Sequence, residues 1–292
     1  MTSQALSTPQ TARHRRRRRE FSLTFEGPVV RTIQILLAVF YTLPIVWIIL
    51  TSLKRSEDVG IPAKLFWFTP TLQAYTSNLT HGLLQAGSQS FLIALGSTVV
   101  VIVFALPAAY GLARAPGHII MIGLGVLVVL QMLPQSATVL PLFQVLAQVG
   151  LLDHTLGVVL ANGGMLTPWA ILILRPFFRA VPKALEESAA IDGAGSLRTF
   201  FSIILPIARN GAATTATLVF MISWGEFLYS INFFLDPQKY PLSALLARQI
   251  TIYNANWPGL MSLSVLTAVP ILILFIFTYR LLKEGLTLGA VK

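Results

Sequence analysis

Residues 91–112 read FLIALGSTVVVIVFALPAAYGL, a run with no charged side chain. Crossing the hydrocarbon layer takes about 20 mostly apolar residues in helical form, so the run has the length and character of a membrane span. It belongs to a longer uncharged stretch, 65–113, and three others accompany it at 32–53, 115–152 and 259–279. Proline and glycine breaks divide these stretches, with two further apolar tracts, into six candidate spans: 29–53, 91–112, 119–139, 156–174, 212–234 and 259–279. The expected fold class is all-α, a polytopic membrane protein with six transmembrane helices. Pro44, Pro107, Pro134 and Pro270 lie inside these candidates. Membrane helices tolerate such residues because neighbouring helices satisfy the freed carbonyls, so kinks are expected there.

Composition agrees with that reading. Of 292 residues 55% are hydrophobic and 11% charged, with mean hydropathy +0.73, against about 25% charged in an average soluble domain. There is no cysteine, which excludes disulfide frameworks, thiolate metal sites and cysteine nucleophiles. The net charge of +10 comes from 21 Lys and Arg against 11 Asp and Glu, and its meaning depends on where the positives sit. Six spans place both termini on one side. Sixteen of the 21 positives fall on that side, in the N-terminal arm, the second and fourth connections and the C-terminus; five fall on the other. The positive-inside rule makes the first side cytoplasmic. Residues 1–28 read as a disordered cytoplasmic arm carrying Arg13 and Arg15 to Arg19, a topogenic tail compatible with anionic lipid heads. Nothing in it supports nucleic-acid binding, since no aromatics interleave the arginines, and no cleavage site supports an export signal. Residues 29–292 then form a six-span domain, with larger outer loops at 54–88 and 235–258 and a polar loop at 175–209.

Signals for chemistry are sparse. No phosphate-binding loop, serine elbow or H-E-x-x-H pair occurs, and His14, His81, His118 and His154 are scattered over different connections, so neither a nucleotide site nor a metal cluster is expected. Paired carboxylates stand at Glu57–Asp58 and Glu186–Glu187. Adjacent helical residues point about 100° apart and neither pair has an evident positioned partner; the first reads as solvated surface charge. Uphill transport by such a chain must draw on an ion gradient or on another chain that holds the nucleotide.

The loop RPFFRAVPKALEESAAIDGAGSLRTFFSIILPIAR, residues 175–209, bears on that choice. Pro182 fits a first helical turn, Glu186 and Glu187 lie near its positive end, and Gly193 fits the left-handed position that closes a helix. Ser196 fits the cap of a second helix that Pro206 interrupts. A helical hairpin results. Ser188, Ala189 and Ala190 give it a face of little bulk, suited to close approach by a partner. An interfacial amphipathic hairpin is the plainer alternative.

Its residues resemble a known motif. Glu187-Ser188-Ala189, then Gly193 after three residues, then Ile203, Leu205 and Pro206 after nine more, match the spacing of the EAA loop of binding-protein-dependent ABC importer permeases, with Ser188 in place of the first alanine. Leu43-Pro44 with Trp47, Thr51 to Lys54, Phe68 to Pro70 leading to Tyr75, Ala190 to Ala194, and the ending Gly285 to Lys292 resemble the carbohydrate-importing branch, the maltose-type permeases, and their shorter permease subunit. The likeness runs from about Val29 onward. It implies the type I importer permease core, with a coupling helix seated in a groove of an ATPase subunit: Glu187 would face basic residues there, Asp192 and Gly193 would lie at the turn, and Leu205-Pro206 would return the chain to the membrane. It further implies a second permease chain, two ATPase subunits holding ATP and Mg, an external solute-binding protein, a sugar or polyol-like solute, and no catalysis or cofactor in this chain itself.

Trp224-Gly225-Glu226-Phe227 resembles the family's W-N-[E/D]-F, with Gly225 replacing the asparagine. Glu226 lies inside an apolar tract, where a charge costs at least about 2.5 kcal/mol and marks a functional hypothesis. Two readings stand: Trp224, Glu226 and Phe227 line a translocation pathway, or Glu226 is hydrogen-bonded structurally. A third possibility, an ion-coupled secondary transporter, needs Glu226 as its coupling site.

Overall fold

The computed structural model describes residues 27–80, 82–249 and 256–290, with side chains described as far as Tyr279. Arg13 to Arg19 and His81 lie outside the described residues. The chain divides into two units at Ile45/Val46. In the first, the described residues form most of helix α1 (Pro28–Ser52), whose side chains there are exposed save the half-buried Val30.

The second unit has only helical regular structure among the described residues. Its centre is α3 (Leu83–Arg114), which lies along α6 (Thr155–Ala180) and against α10 (Arg209–Trp224). Without a hydrophobic drive between helices in lipid, small residues that admit close backbones decide which faces meet. The buried stripe of α3 is accordingly Ala86, Ser90, Ala94, Ser97, Val101, Ala105 and Ala109, spaced by three or four. On α6, Gly163 faces it; a Cβ there would stand 2.9 Å from a methyl of Val100. The three helices share one buried amide: Asn162 of α6 donates from Nδ2 to Ser97 Oγ on α3 (3.1 Å) and to Ser223 Oγ on α10 (2.8 Å). Cross-helix bonds of this kind contribute about 0.6 kcal/mol each on average in membrane proteins, so Asn162 fixes register more than it adds stability.

Around this centre stand α2 (Gln73–Thr80), α4 (Gly117–Met132), α5 (Gln135–Gln148) and α13 (Trp257–Ala290). Among the described residues four helices are long and apolar enough to cross a membrane singly: α1, α3, α6 and α13 through Tyr279. Two bent pairs, α4 with α5 and Ser196–Ile207 with α10, bring the number to six if each is one span. The expected span 119–139 is broken between α4 and α5 by 91°. Pro134 causes this, because it lacks an N–H and holds Leu133 in extended conformation (ψ 119°). Pro44, Pro107 and Pro270, by contrast, sit inside unbroken helices. The expected span 212–234 also divides, since α10 ends at Trp224 and α11 (Leu228–Phe233) follows a short break. The second span starts at Leu83, eight residues ahead of the expected 91.

Candidate functional site

At one end of the bundle the loop between α6 and α10 forms the hairpin expected from its sequence. Its first arm is α7 (Ala184–Ile191). Pro182 precedes this helix and accepts from Leu185 N (3.3 Å), so it leads in rather than occupying the first helical position. Closure is by a left-handed residue: Gly193 has φ +79°, its N–H bonds Ala190 O (3.1 Å), and Ala194 N bonds Ala189 O (2.9 Å). Those two bonds form a Schellman turn, which satisfies carbonyls that a helix end leaves open. The second arm starts at α8 (Ser196–Thr199), capped by Gly195, so Ser196 is the first helical residue and not the cap. A π-turn follows at Phe200–Ile204, where Leu205 N–H reaches back to Phe200 O, and then α9 (Leu205–Ile207) carries Pro206. The whole arm meets α10 at 78°. A proline that withholds its N–H and a wide turn just before it are recognised causes of such bends.

The two carboxylates of α7 part company. Glu186 turns inward: its Oε1 lies 2.6 Å from both Nε and Nη2 of Arg114, and its Oε2 accepts from Tyr110 OH at 3.0 Å. Arg114 also donates from Nη2 to Val181 O (2.9 Å) at the C-terminus of α6. The Tyr110 ring lies against Phe178 and Phe200, 5.8 and 5.1 Å between centroids, and so touches both roots of the hairpin. The reading that this acidic pair lacks a positioned partner is therefore corrected. Arg114 is the sole charge between residues 65 and 152, and a lone charge at the end of an apolar tract, one turn after a tyrosine, was the available signal. Charge-assisted bonds of this type are worth about 1.5–3 kcal/mol each before desolvation is subtracted.

Glu187 faces the other way. It is exposed, and among the described residues its side chain makes no ion pair or hydrogen bond. Ser188, Ala190 and Asp192 share that exposure; Ala189 is buried, so the low-bulk face consists of Ser188 and Ala190 alone. Ile191 and Leu197 stand 86% and 76% exposed on either side of the turn. Ile203 and Leu205 pack onto the core cluster built from α3, α6 and the hairpin root, while Pro206 stays exposed.

The break between α10 and α11 accounts for Glu226. Its Oε1 accepts from Tyr229 N (2.6 Å), and its Oε2 accepts from Ser230 N (3.0 Å) and from the Ser230 hydroxyl. Its backbone oxygen takes the Ser243 hydroxyl. The carboxylate therefore satisfies the free N–H groups at the start of α11, which would otherwise be orphaned in an apolar setting. Trp224 is buried, donates from Nε1 to Thr267 O (3.2 Å) and stacks on Phe220; Phe227 is 38% exposed. Trp224 and Phe227 thus bracket Glu226 without touching it through any hydrogen bond.

The far end is closed by a different ion pair. Asp153 adopts φ +62° between α5 and α6, donates its N–H to Phe233 O (2.9 Å), and accepts from Leu235 N (2.9 Å), Asp236 N (3.2 Å) and Lys239 Nζ (2.5 Å). The Lys239 bond, reinforced by the two backbone N–H groups, holds the Asp153 carboxyl below its ordinary value against a smaller opposing effect of burial. Asp58 is likewise not solvated, as its sequence context suggests, but buried and paired with Lys64. Among the described residues no group of His, Asp and Glu is placed to hold a metal.

The family model for the binding-protein-dependent transport system inner membrane component matches residues 102–287, which include the C-terminal part of α3, α6, the hairpin, α10 and most of α13. The chain belongs to this family. The permease is 32% identical over 86% of its length to the trehalose transport system permease protein SugB of Mycobacterium tuberculosis, covering 92% of that protein. It is 30% identical over 85% of its length to the diacetylchitobiose uptake system permease protein DasC of Streptomyces coelicolor, covering 91%. To the sulfoquinovosyl glycerol transport system permease protein SmoH of Agrobacterium fabrum it is 29% identical over 85%, covering 88%. In fold the permease matches a chain of a bacterial ABC transporter that imports the acidic polysaccharide alginate, with TM-score 0.74 and 19% identity over 86% of its length and 95% of the other. The all-helical architecture is thus that of a type I ABC importer permease. The permease is a multi-pass membrane component of an ABC importer rather than an enzyme, and works with ATPase and binding-protein partners. Ion-coupled transport through Glu226 is disfavoured on two grounds, the family and the use of both Glu226 oxygens inside the chain.

Proposed function

We propose that this chain forms half of the translocation pore of an importer for a carbohydrate, alongside a second and different permease subunit, and that the α7–α8 hairpin is its coupling element toward an ATPase. The observation that carries the coupling role is the division of α7: Glu186 and Ala189 face the bundle, whereas Glu187, Ser188 and Ile191 face away with no partner in the chain. An exposed carboxylate beside exposed aliphatic side chains and a low-bulk strip suits a groove with basic residues and apolar walls. Glu187 would pair there, Asp192 and Gly193 would hold the turn, and Ile203, Leu205 and Pro206 would root the second arm. The excess of Lys and Arg on the side that bears the hairpin supports placing it, and both termini, in the cytoplasm.

ATP and Mg would be held by two ATPase subunits, and the segment that leads from Asp236 to Asn256 on the far side would meet an external solute-binding protein. Closure of the ATPases would move paired hairpins together and rock the bundles between two access states. Carbohydrate is favoured by relatives whose names specify trehalose, diacetylchitobiose and sulfoquinovosyl glycerol transport. Of the three residues at the α10–α11 break, Phe227 is the one available to a passing solute, while Trp224 and Glu226 maintain the break.

The test is a complex reconstituted in vesicles with partner permease, ATPases and binding protein, assayed with a panel of those three sugars. Glu187→Arg places a positive charge against the basic groove, and sugar-stimulated ATP hydrolysis is expected to fall about ten-fold or more. Unchanged stimulation would overturn the coupling role, and full uptake by this chain alone in ATP-free vesicles would overturn the importer reading.

A further inference from the structure

Glu186 differs from its neighbour in being fully engaged, and the partners that engage it all lie on α3. Tyr110 and Arg114 are four residues apart and so share one face of the last turn of that helix. Between them they take both carboxylate oxygens of Glu186, and Arg114 extends to Val181 O at the end of α6. The chain connection between α7 and the bundle runs through Val181 to Lys183 and, on the other arm, through the π-turn and Pro206. Both covalent roots therefore contain a break in regular helix, where a push on α7 is absorbed by bending. The Arg114–Glu186–Tyr110 group bypasses those roots. It joins α7 to α3, which packs against both α6 and α10 at the centre of the unit, and the buried Asn162 amide joins those three helices to each other.

We propose that Arg114, Tyr110 and Glu186 form a transmission clamp that carries displacement of the coupling hairpin directly into α3. The inference rests on the coupling role proposed above. Glu186 is then a positioning residue: it does not meet the ATPase, but it determines whether movement of α7 moves the spanning core. Partial burial of the pair, 15% and 20% exposed, keeps its charge–charge attraction less screened than on an open surface, and fixed bidentate-like geometry at one guanidinium gives the joint direction as well as strength.

The absence of cysteine from this chain permits a single reporter to be placed in it, within a complex whose partner subunits have been freed of reactive cysteines. Gly111→Cys sits on the exposed side of α3 in its last turn, where a Cβ meets nothing within 4 Å. Leu197→Cys sits on the exposed hairpin surface. Maleimide labelling of each is followed with and without MgATP and vanadate, so no transported solute is needed. With the clamp intact, the labelling rate at Gly111→Cys is expected to change about five-fold or more on trapping, within the usual range of coupling between sites. In Glu186→Gln and Arg114→Met the change is expected to shrink below about two-fold, while shielding of Leu197→Cys by the ATPase and basal ATP hydrolysis persist. Glu186→Arg combined with Arg114→Glu is expected to recover the response, which a mere folding defect would not allow.

An equal response at Gly111→Cys with the clamp cut, or no response with it intact, overturns the proposal. Loss of the response together with loss of Leu197→Cys shielding in the cut variants also overturns it, since Glu186 would then serve docking. If Leu197→Cys is not shielded even in the intact chain, the coupling role of the hairpin fails first, and the clamp proposal falls with it.

Discussion

The two ends of the bundle use the same device to different effect. At the far end Asp153 is surrounded by Leu235 N, Asp236 N and Lys239 Nζ, so every charge in the joint is answered within the chain. At the hairpin end Glu186 is answered by Arg114 and Tyr110, but Glu187 beside it is left exposed next to Ile191 and Leu197. The Asp153 joint answers its own charges, and the hairpin leaves a charge open beside exposed apolar side chains. Unspent interaction capacity on a rigidly held element is what a partner surface requires, and the Asp153 joint offers none of its own.

That contrast is broken most severely by Gly193→Pro. Proline removes the N–H that bonds Ala190 O and fixes φ near −65° where the hairpin needs +79°, a local cost of about 3 kcal/mol or more. The expected outcome is loss of sugar-stimulated ATP hydrolysis and of ATPase co-purification, with the chain still inserted in the membrane. Retained stimulation would mean that the turn is dispensable.

Asp153→Asn tests the far end. Asparagine tolerates positive φ and keeps an oxygen for the backbone N–H groups, so the change removes little besides the negative charge that faces Lys239. A loss of about 0.5–1 kcal/mol is expected, as for a partly exposed pair, with hydrolysis in the assembled complex unaltered. The same joint predicts a pH dependence. Because the folded carboxyl lies below its ordinary value, its contribution is present above that ordinary value and is lost as pH falls through the lower folded one. Thermal melts in detergent between pH 6 and 3 should therefore steepen in their acid limb for the parent chain relative to Asp153→Asn. Parallel curves would show that Lys239 contributes nothing.

The smallest effect is expected at Gly225→Asn, which restores the residue usual in the W-N-[E/D]-F pattern. Gly225 has φ −85° and a Cβ there would meet only Ile222 O at 3.6 Å. A stability change under about 0.5 kcal/mol follows, as for sites without a cavity, clash or lost bond. A larger loss in detergent melting would mean that the break at Glu226 is tighter than its geometry indicates.

Much of this was legible from the chain alone, for a reason particular to membranes. Spans announce themselves because lipid admits few charges, and the hairpin announces itself because a left-handed glycine and a fixed spacing are local requirements. Gly193 and the closing of α7 depend on a few consecutive residues, and they appear where the sequence puts them. Pro134 was visible as a residue but not as a 91° bend, since Pro44, Pro107 and Pro270 are equally proline and lie in continuous helices. Whether a missing N–H breaks a helix depends on what surrounds it, and that is tertiary.

Glu226 and Glu186 make the same point for charge. Sequence marked Glu226 as costly and left its purpose open between pathway and structure; only folding brought Ser230 and the α11 backbone under its two oxygens. Sequence marked Glu186 and Glu187 as a pair. Local geometry required that they point about 100° apart, but which would face the bundle depended on Arg114, 72 residues away in the chain. Composition, periodicity and spacing therefore determined the apolar spans and the turn of the hairpin, since they act through lipid and backbone rules that need no distant partner. The tertiary structure alone decided which of two adjacent carboxylates holds the machine together and which one is offered outward, because that choice is made by a contact between remote residues.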